Sequence, residues 1–307
     1  KASISLEKKD AEKKQAEPQG DATLEKAVYG LYARKDIIHP DGTTGVLFKA
    51  GEQVATLTTD QNGRASVENL YLGDYYVKEI SPSVGYLADK TEYDLVCSYE
   101  GDMVAEVKRS CISLEQVMKQ PFQIIKAANN GETDAELLVG AGFRAYLESS
   151  LKKKADGSYD FDSTTPVVIG ENGATEMFTD EKGYACSIAL PYGTYIVRET
   201  TTPHNYKPVD DFIVRITENH PNTPQEWRVL LDKEFEAKLK IVKQDDETKK
   251  PVLQKDTEFK IYDLKRKEYV EQVTTYPTTV THKSFFTDDQ GYLILPQNLK
   301  TVSYTHL

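Results

Sequence analysis

Three lysines occupy equivalent positions in a sequence that repeats itself, and each ends a short run in which every second residue is apolar. The runs are Ile4, Leu6 and Lys8; Phe122, Ile124 and Lys126; and Leu239, Ile241 and Lys243. Because strand side chains alternate between two faces, each lysine is predicted to share the face of its apolar neighbours. Burying an ammonium group without a partner is very costly, so each of these lysines requires a partner.

Further motifs follow the lysines in a constant order. Residues 27–32, 141–146 and 257–262 share a period-two pattern of a small residue, an aromatic, an apolar residue and Tyr. Thr-Asp-x-x-Gly follows at residues 59–63, 179–183 and 287–291, and this motif is typical of hairpin turns. Gly-x-Tyr-x-Val-x-Glu then occurs at residues 73–79 and 193–199. Four motifs in one order predict tandem modules.

The repeat divides the 307 residues into predicted modules at 1–116, 117–233 and 234–307. The third module is predicted to be incomplete, because Thr301 and Leu307 stand where the repeat requires Gly and Glu. The tail from Thr301 fits no strand pattern and resembles translated sequencing-adaptor sequence. We therefore expect that the source sequence ended early.

The composition favours strands over helices. The chain has 19 tyrosines, many threonines and valines, and closely spaced turn motifs. A hydrophobic content of 39% suits small sandwiches whose sheets each have one solvated face. No long apolar repeat of period 3.6 is present. The predicted fold class is all-β.

Charge and motif content exclude several functions. A net charge of −11 argues against nucleic-acid binding, and no apolar stretch is long enough to span a membrane. The three cysteines and five histidines are scattered, without the spacing of a disulfide framework, a zinc site or a catalytic triad. We expect no metal, no cofactor and no catalysis on a diffusible substrate.

The motifs together resemble Cna B-type repeats, the prealbumin-like (Ig-like) sandwiches of SpaA-type pilins and adhesins of Gram-positive bacteria. The lysine strand, the turn and the Glu motif carry the resemblance, with Pro82 and Gly85-Tyr86, or Pro203 and Tyr206, following the Glu. It implies that a first-strand lysine bonds to an Asn or Asp of the last strand, promoted by the motif Glu. The product is an intramolecular isopeptide bond, formed without an enzyme or cofactor.

In the second module the resemblance implies that Lys126 bonds to Asp232 and that Glu199 promotes the reaction. Asp232 ends the predicted last strand, which begins at Trp227. A desolvated lysine more readily becomes a neutral nucleophile, and a protonated Glu can shuttle protons. The alternative is an ordinary ion pair or a solvent-exposed Lys126.

The other two modules depart from the pattern. Lys8 and Glu79 match the first module, but Glu115, followed by Gln116, occupies the acyl position. Either this module lacks a cross-link and Lys8 pairs with Glu79 or another carboxylate, or Glu115 or Gln116 takes an unusual role. Lys243 lies in the incomplete module, which is not expected to react.

The resemblance implies a structural stalk segment of a cell-wall-anchored adhesin or pilus-like protein, outside the cell. Its partners are then neighbouring modules of the same protein, and its only reaction is single-turnover self-cross-linking. The alternative is a binding module whose loops, with Trp227 and the tyrosines, recognise host matrix protein or glycan. Aromatics at alternate strand positions are more often core residues.

Overall fold

The computed structural model of the protein describes residues 1–129, 135–300 and 304–306. Within these ranges the chain is almost entirely β-structure, apart from two short 3₁₀-helices, Glu148–Ser150 and Glu171–Gly173. The all-β prediction is confirmed. None of the helices in the described ranges has the length and apolar character needed to cross a membrane.

The first group of strands forms a sandwich. In chain order its strands are β1 (Ala2–Asp10), β2 (Val28–Ala33), β3 (Ile37–Ile38), β4 (Val46–Phe48), β5 (Gln53–Thr58), β6 (Arg64–Leu70), β7 (Gly73–Ser81), β8 (Glu92–Cys97) and β9 (Val107–Glu115). One sheet has the order β6-β1-β9 and the other the order β5-β2-β7-β8, while β3 pairs with β4. Buried apolar side chains of both sheets form one core cluster.

The first and last strands of this sandwich, β1 and β9, run parallel and pair residues that are far apart in the sequence. Lys8 pairs with Ser113, and Asp10 pairs with Glu115. Alternate residues of β1 are buried, from Ala2 to Asp10. The side chain of Lys8 therefore lies on the core face of its sheet.

The second group of strands repeats this plan. Its strands are β10 (Lys119–Gln120), β11 (Gln123–Asn129), β12 (Glu136–Leu137), β13 (Gly142–Leu147), β14 (Lys152–Lys153), β15 (Tyr159–Asp160), β16 (Met177–Phe178), β17 (Tyr184–Cys186), β18 (Leu190–Pro191), β19 (Gly193–Thr201), β20 (Tyr206–Lys207), β21 (Phe212–Ile216) and β22 (Arg228–Glu234). One sheet has the order β12-β11-β22-β20, with β17 also pairing with β11, and the other the order β16-β13-β19-β21. The parallel pair is now β11 with β22. The prediction of tandem sandwiches is confirmed.

The third group has shorter strands. They are β23 (Glu236–Ala237), β24 (Lys240–Val242), β25 (Glu258–Phe259), β26 (Ile261–Asp263), β27 (Glu268–Tyr269), β28 (Gln272–Thr274), β29 (Val280–His282), β30 (Phe285–Phe286), β31 (Tyr292–Ile294), β32 (Leu299–Lys300) and β33 (Tyr304–His306). The pairs β24–β31 and β25–β30 repeat the pairs β1–β6 and β2–β5. Thr301 and Leu307, where the repeat requires Gly and Glu, lie outside the described residues.

The Thr-Asp-x-x-Gly turns are built alike in all three copies. The Thr179 hydroxyl accepts a hydrogen bond from Ala141 N–H at 3.0 Å and donates one to the Leu138 carbonyl at 2.7 Å. Thr59 and Thr287 make the same kind of bonds. Each turn glycine accepts a hydrogen bond from the backbone N–H of the repeat lysine of its own copy. The turn therefore fixes the lysine backbone.

Gly183 lies so close to Lys126 that no side chain fits. Its φ is +66°, and an added Cβ would overlap the Lys126 carbonyl oxygen. We expect Gly183→Ala to lower the free energy of unfolding by about 2–5 kcal/mol, combining left-handed strain with overpacking. Gly157, with φ +85° and no atom within 4 Å of an added Cβ, is the matched control. In denaturant unfolding, Gly157→Ala should lower the free energy of unfolding by only about 1–2 kcal/mol. Equal decreases for Gly183→Ala and Gly157→Ala would contradict this account.

Candidate functional site

The two sheets of the second sandwich bring three ionisable side chains together. Lys126 pairs with Leu230 and Ala128 with Asp232 across the parallel strands β11 and β22, so Lys126 and Asp232 are offset by two residues and lie on the same face. Glu199 comes from β19 of the opposite sheet. All three side chains have 0% exposure. The site therefore lies inside the core rather than in a surface cleft.

The Lys126 amine contacts both carboxylates directly. Its Nζ donates a hydrogen bond to Glu199 Oε2 at 2.7 Å and another to Asp232 Oδ1. Glu199 Oε2 also accepts the backbone N–H of Val209 at 2.9 Å. The Phe143 ring centroid lies 5.6 Å from Nζ and closes the apolar side of the site.

Burial changes the acidity of this group of side chains. Desolvation raises the pKa of the Asp232 carboxyl to about 6, although the neighbouring Lys126 opposes the shift. The negative charge of Glu199 adds to the increase. A raised carboxyl pKa means that the neutral acid, which an amine can attack, becomes easier to form.

The first sandwich holds a related group. Lys8 Nζ contacts Glu115 Oε2 and lies 3.8 Å from Glu79 Oε1, with all three side chains at most 2% exposed. Desolvation lowers the pKa of Lys8 to about 8, although Glu79 and Asp89 oppose it. Desolvation also raises the pKa of Glu79. Gln116 is exposed and donates to Glu12, so it is separated from this group.

Four residues of the first site were missed by sequence reasoning. Tyr29 and Ser113 each donate a hydrogen bond to Glu115 Oε1. The Tyr86 ring centroid lies 4.7 Å from Lys8 Nζ, and Asp89 N–H donates to Glu79 Oε2 at 2.6 Å. Only Tyr29 and Tyr86 stand in recurring motifs, and spacing alone does not reveal that they converge on one amine.

Lys243 is placed differently from the other two lysines. It is half-buried and donates a hydrogen bond to the Gln254 side chain at 2.8 Å. The position predicted to supply its promoting Glu, Leu307, lies outside the described residues.

Metal-ligating residue types and thiols also occur in the described ranges. No group of three or more His, Cys, Asp or Glu residues there is arranged to hold a metal ion. Cys97, Cys111 and Cys186 are free thiols.

Trp227 lies at the surface. Its side chain is 57% exposed, and its ring centroid lies 5.2 Å from that of Tyr184. This tryptophan is a surface residue rather than a core residue.

The sequence matches the SpaA family, described as a prealbumin-like fold domain, over residues 2–110 and 122–228. The two matches follow the two sandwiches and together cover more than half of the chain. The chain therefore belongs to this family of prealbumin-like fold domains. Comparison with curated protein sequences returns no match.

Solved structures to which this chain is similar include the following three proteins. The TIE protein of Bacillus anthracis is 23% identical, with a TM-score of 0.50, over 99% of this chain and 44% of that protein. The minor pilin GBS52 of Streptococcus agalactiae is 16% identical, with a TM-score of 0.33, over 76% and 97%. The shaft pilin SpaA of Lactobacillus rhamnosus GG is 17% identical, with a TM-score of 0.27, over 76% and 97%. The chain thus spans less than half the length of the TIE protein.

The central role of Asp232 predicts a large effect on stability. Asp232→Ala leaves the Lys126 and Glu199 side chains buried without their third partner, and we expect a loss of about 3–5 kcal/mol in the free energy of unfolding. Asp211→Ala is the control, because Asp211 forms a partly exposed ion pair with Arg198 next to Glu199. Asp211→Ala should lower the free energy of unfolding, measured by denaturant unfolding, by less than about 1 kcal/mol. Similar losses for the two variants would contradict the importance of the buried group.

Proposed function

We propose that this chain is a structural stalk segment of a Gram-positive cell-surface protein, an adhesin or a pilus-like protein, outside the cell. An autocatalytic isopeptide bond between Lys126 and Asp232 stabilises its second module. One observation carries the proposal: a fully buried lysine amine contacts one carboxylate from its own sheet and one from the facing sheet. The family match supports a structural rather than an enzymatic role.

The proposed reaction is a condensation that releases water. Lys126 transfers one proton, through Glu199, to the Asp232 carboxylate, which leaves a neutral amine and a neutral acid. The amine nitrogen attacks Asp232 Cγ, a C–N bond forms, and one C–O bond breaks. Glu199 passes the second amine proton to the departing oxygen, which leaves as water, and so returns to its starting state. Folding supplies the proximity that makes this step feasible.

The product would relieve the electrostatic cost of the site and restrain the chain. An amide is neutral, so the buried ammonium and carboxylate disappear together. The bond closes a loop between residues 106 positions apart, and closing roughly 100 residues is worth about 4–5 kcal/mol in the chain-entropy description. Because β11 and β22 are the parallel strands that enter and leave the module, tension on the chain would pass through the covalent bond.

The junction between the first two sandwiches supports the stalk role. Tyr192 of the second sandwich packs against Tyr86 and Val117 in a small apolar cluster. Asp21 donates its N–H to the Tyr192 carbonyl at 2.9 Å, and its carboxylate accepts the N–H of Thr194 at 3.0 Å. We propose module boundaries at 1–116, 117–233 and 234–307, with this contact stiffening the first junction. Neighbouring modules of the same protein are the partners that this role requires.

The proposal predicts a branched peptide in the folded protein. Peptide mapping should recover the peptides of Lys126 and Asp232 as one species, lighter by one water than their sum. Lys126→Arg should separate them, because an arginine guanidinium stays protonated and does not attack the acid. Lys182→Arg, in the exposed turn, is the matched control and should keep the branched peptide. Unbranched peptides from correctly folded wild-type protein would contradict the proposal.

A second candidate function rests on the outer face of β22 together with Trp227, which directly precedes that strand. Trp227, Val229 and Leu231 are each about half exposed or more, at 57%, 60% and 49%, and Tyr184 lies beside Trp227. Contiguous exposed apolar side chains often mark interaction sites. We propose as the alternative that this face binds a host matrix protein or glycan.

Binding measurements with the full chain test this alternative. Saturable binding to a matrix protein or glycan should fall at least tenfold in Trp227→Ala, because a central aromatic residue often dominates such a contact. Tyr276→Ala removes another aromatic side chain, which is 90% exposed in the connection between β28 and β29, and it should leave binding unchanged. An undiminished affinity in Trp227→Ala would remove this face from consideration.

A further inference from the structure

The two buried sites share a backbone frame but differ in their polar groups. Lys8 pairs with Ser113 where Lys126 pairs with Leu230. Tyr29 pairs with Glu79 where Phe143 pairs with Glu199. The first site therefore has two hydroxyl groups where the second has two apolar side chains. The acyl residue changes as well, from Asp232 to Glu115.

Both hydroxyls in the first site act on the same atom. The Tyr29 hydroxyl and the Ser113 hydroxyl, the latter at 3.1 Å, donate to Glu115 Oε1. The other oxygen, Oε2, contacts Lys8 Nζ. In the second site Asp232 Oδ1 contacts the lysine, and Oδ2 has no hydrogen-bond partner among the described residues. Only in the first site are the two carboxyl oxygens held for different roles.

We propose that Lys8 and Glu115 also form an isopeptide bond, of the Lys–Glu type, in which Tyr29 and Ser113 bind the oxygen that becomes the amide carbonyl. This inference rests on the proposed function for its chemistry, since it uses the same condensation. It assigns a second cross-link to the chain and gives the two hydroxyls a specific task.

The backbone frame explains how a longer acyl residue fits. Glu115 follows Ser113, the pairing partner of Lys8, by two positions, and Asp232 follows Leu230, the partner of Lys126, by two positions. The extra methylene of glutamate adds one rotatable bond to an otherwise equivalent geometry. The hydrogen bonds from Tyr29 and Ser113 restrain that rotation and leave Oε2 at the amine, which keeps the reacting groups in place.

The step balances without an external reagent. Lys8 passes one proton, through Glu79, to Glu115, and the neutral amine attacks Glu115 Cδ. Negative charge develops on Oε1, where the hydroxyls of Tyr29 and Ser113 donate to it. The Cδ–Oε2 bond breaks, Glu79 delivers the second amine proton to that oxygen, and water leaves.

Intact mass of the full chain counts the cross-links. The wild-type protein should be lighter than its sequence by two waters, Lys8→Arg and Lys126→Arg by one water each, and the double variant by none. Suppose that the wild-type protein is lighter by only one water. If Lys126→Arg then has its full sequence mass and Lys8→Arg does not, the Lys8–Glu115 bond is overturned and the proposed function stays intact. If Lys8→Arg has its full sequence mass and Lys126→Arg does not, the Lys126–Asp232 bond is overturned instead, and a wild-type protein at full sequence mass overturns both bonds.

Peptide mapping of the wild-type chain gives a reading that does not depend on any variant's folding. A branched peptide should join Lys8 to Glu115, and its absence from folded protein would overturn the inference.

The role of Tyr29 is tested by Tyr29→Phe. In newly synthesised chain this variant should form the branched peptide about 10²-fold more slowly than the wild type, while reaching the same final product.

Tyr75→Phe is the matched control for Tyr29→Phe. Tyr75 is equally buried, and its hydroxyl donates to the Tyr71 carbonyl rather than to the buried carboxyl. It should form the cross-link at the wild-type rate. Equal rates in Tyr29→Phe and Tyr75→Phe would overturn the role given to the Tyr29 hydroxyl.

Discussion

The contact between a buried lysine and a carboxylate of the last strand is the interaction on which the rest of this structure depends. An ammonium group in a β-core is tolerable only with compensating charge at hydrogen-bond distance. The parallel pairing of first and last strands supplies that charge at Lys126 and at Lys8. The facing sheet adds Glu199 or Glu79, so each lysine ties together both layers of its sandwich.

Much of the remaining architecture serves to hold these lysines in position. The turn glycines Gly63 and Gly183 accept the backbone N–H groups of Lys8 and Lys126, each at 2.7 Å. Threonine hydroxyls anchor the same turns to the segments that directly precede β2 and β13. A buried ion pair alone often contributes little net stability, because desolvation offsets the attraction. Conversion of the pair to an amide would turn this expensive arrangement into a covalent restraint.

The fold was largely predictable from the sequence, because its signals are local and repeated. Period-two patterning places Lys8 and Lys126 on the core face, and the recurring turns define where strands reverse. The Glu motif shared by the first two copies marked Glu199, and the resemblance to Cna B-type repeats pointed to Asp232 as the partner of Lys126. These positions depend on the parallel pairing of first and last strands that the first two copies of the repeat share.

The parts that sequence reasoning missed depend on contacts across the two layers. Tyr29 lies in one sheet and Ser113 in the other, and their convergence on Glu115 follows from sheet packing rather than from any spacing along the chain. The exposure of Trp227 was equally hidden, because alternation does not say which of two apolar faces meets solvent. Strand register and layer packing decide such cases.

The most direct test of the central claim is a high-resolution crystal structure of the folded protein. The account predicts continuous density between Lys126 Nζ and Asp232 Cγ at an amide bond length of about 1.33 Å, with only one oxygen left on Cγ. A carboxylate with both oxygens present, and an N–O separation of about 2.7–2.9 Å from the lysine, would contradict it.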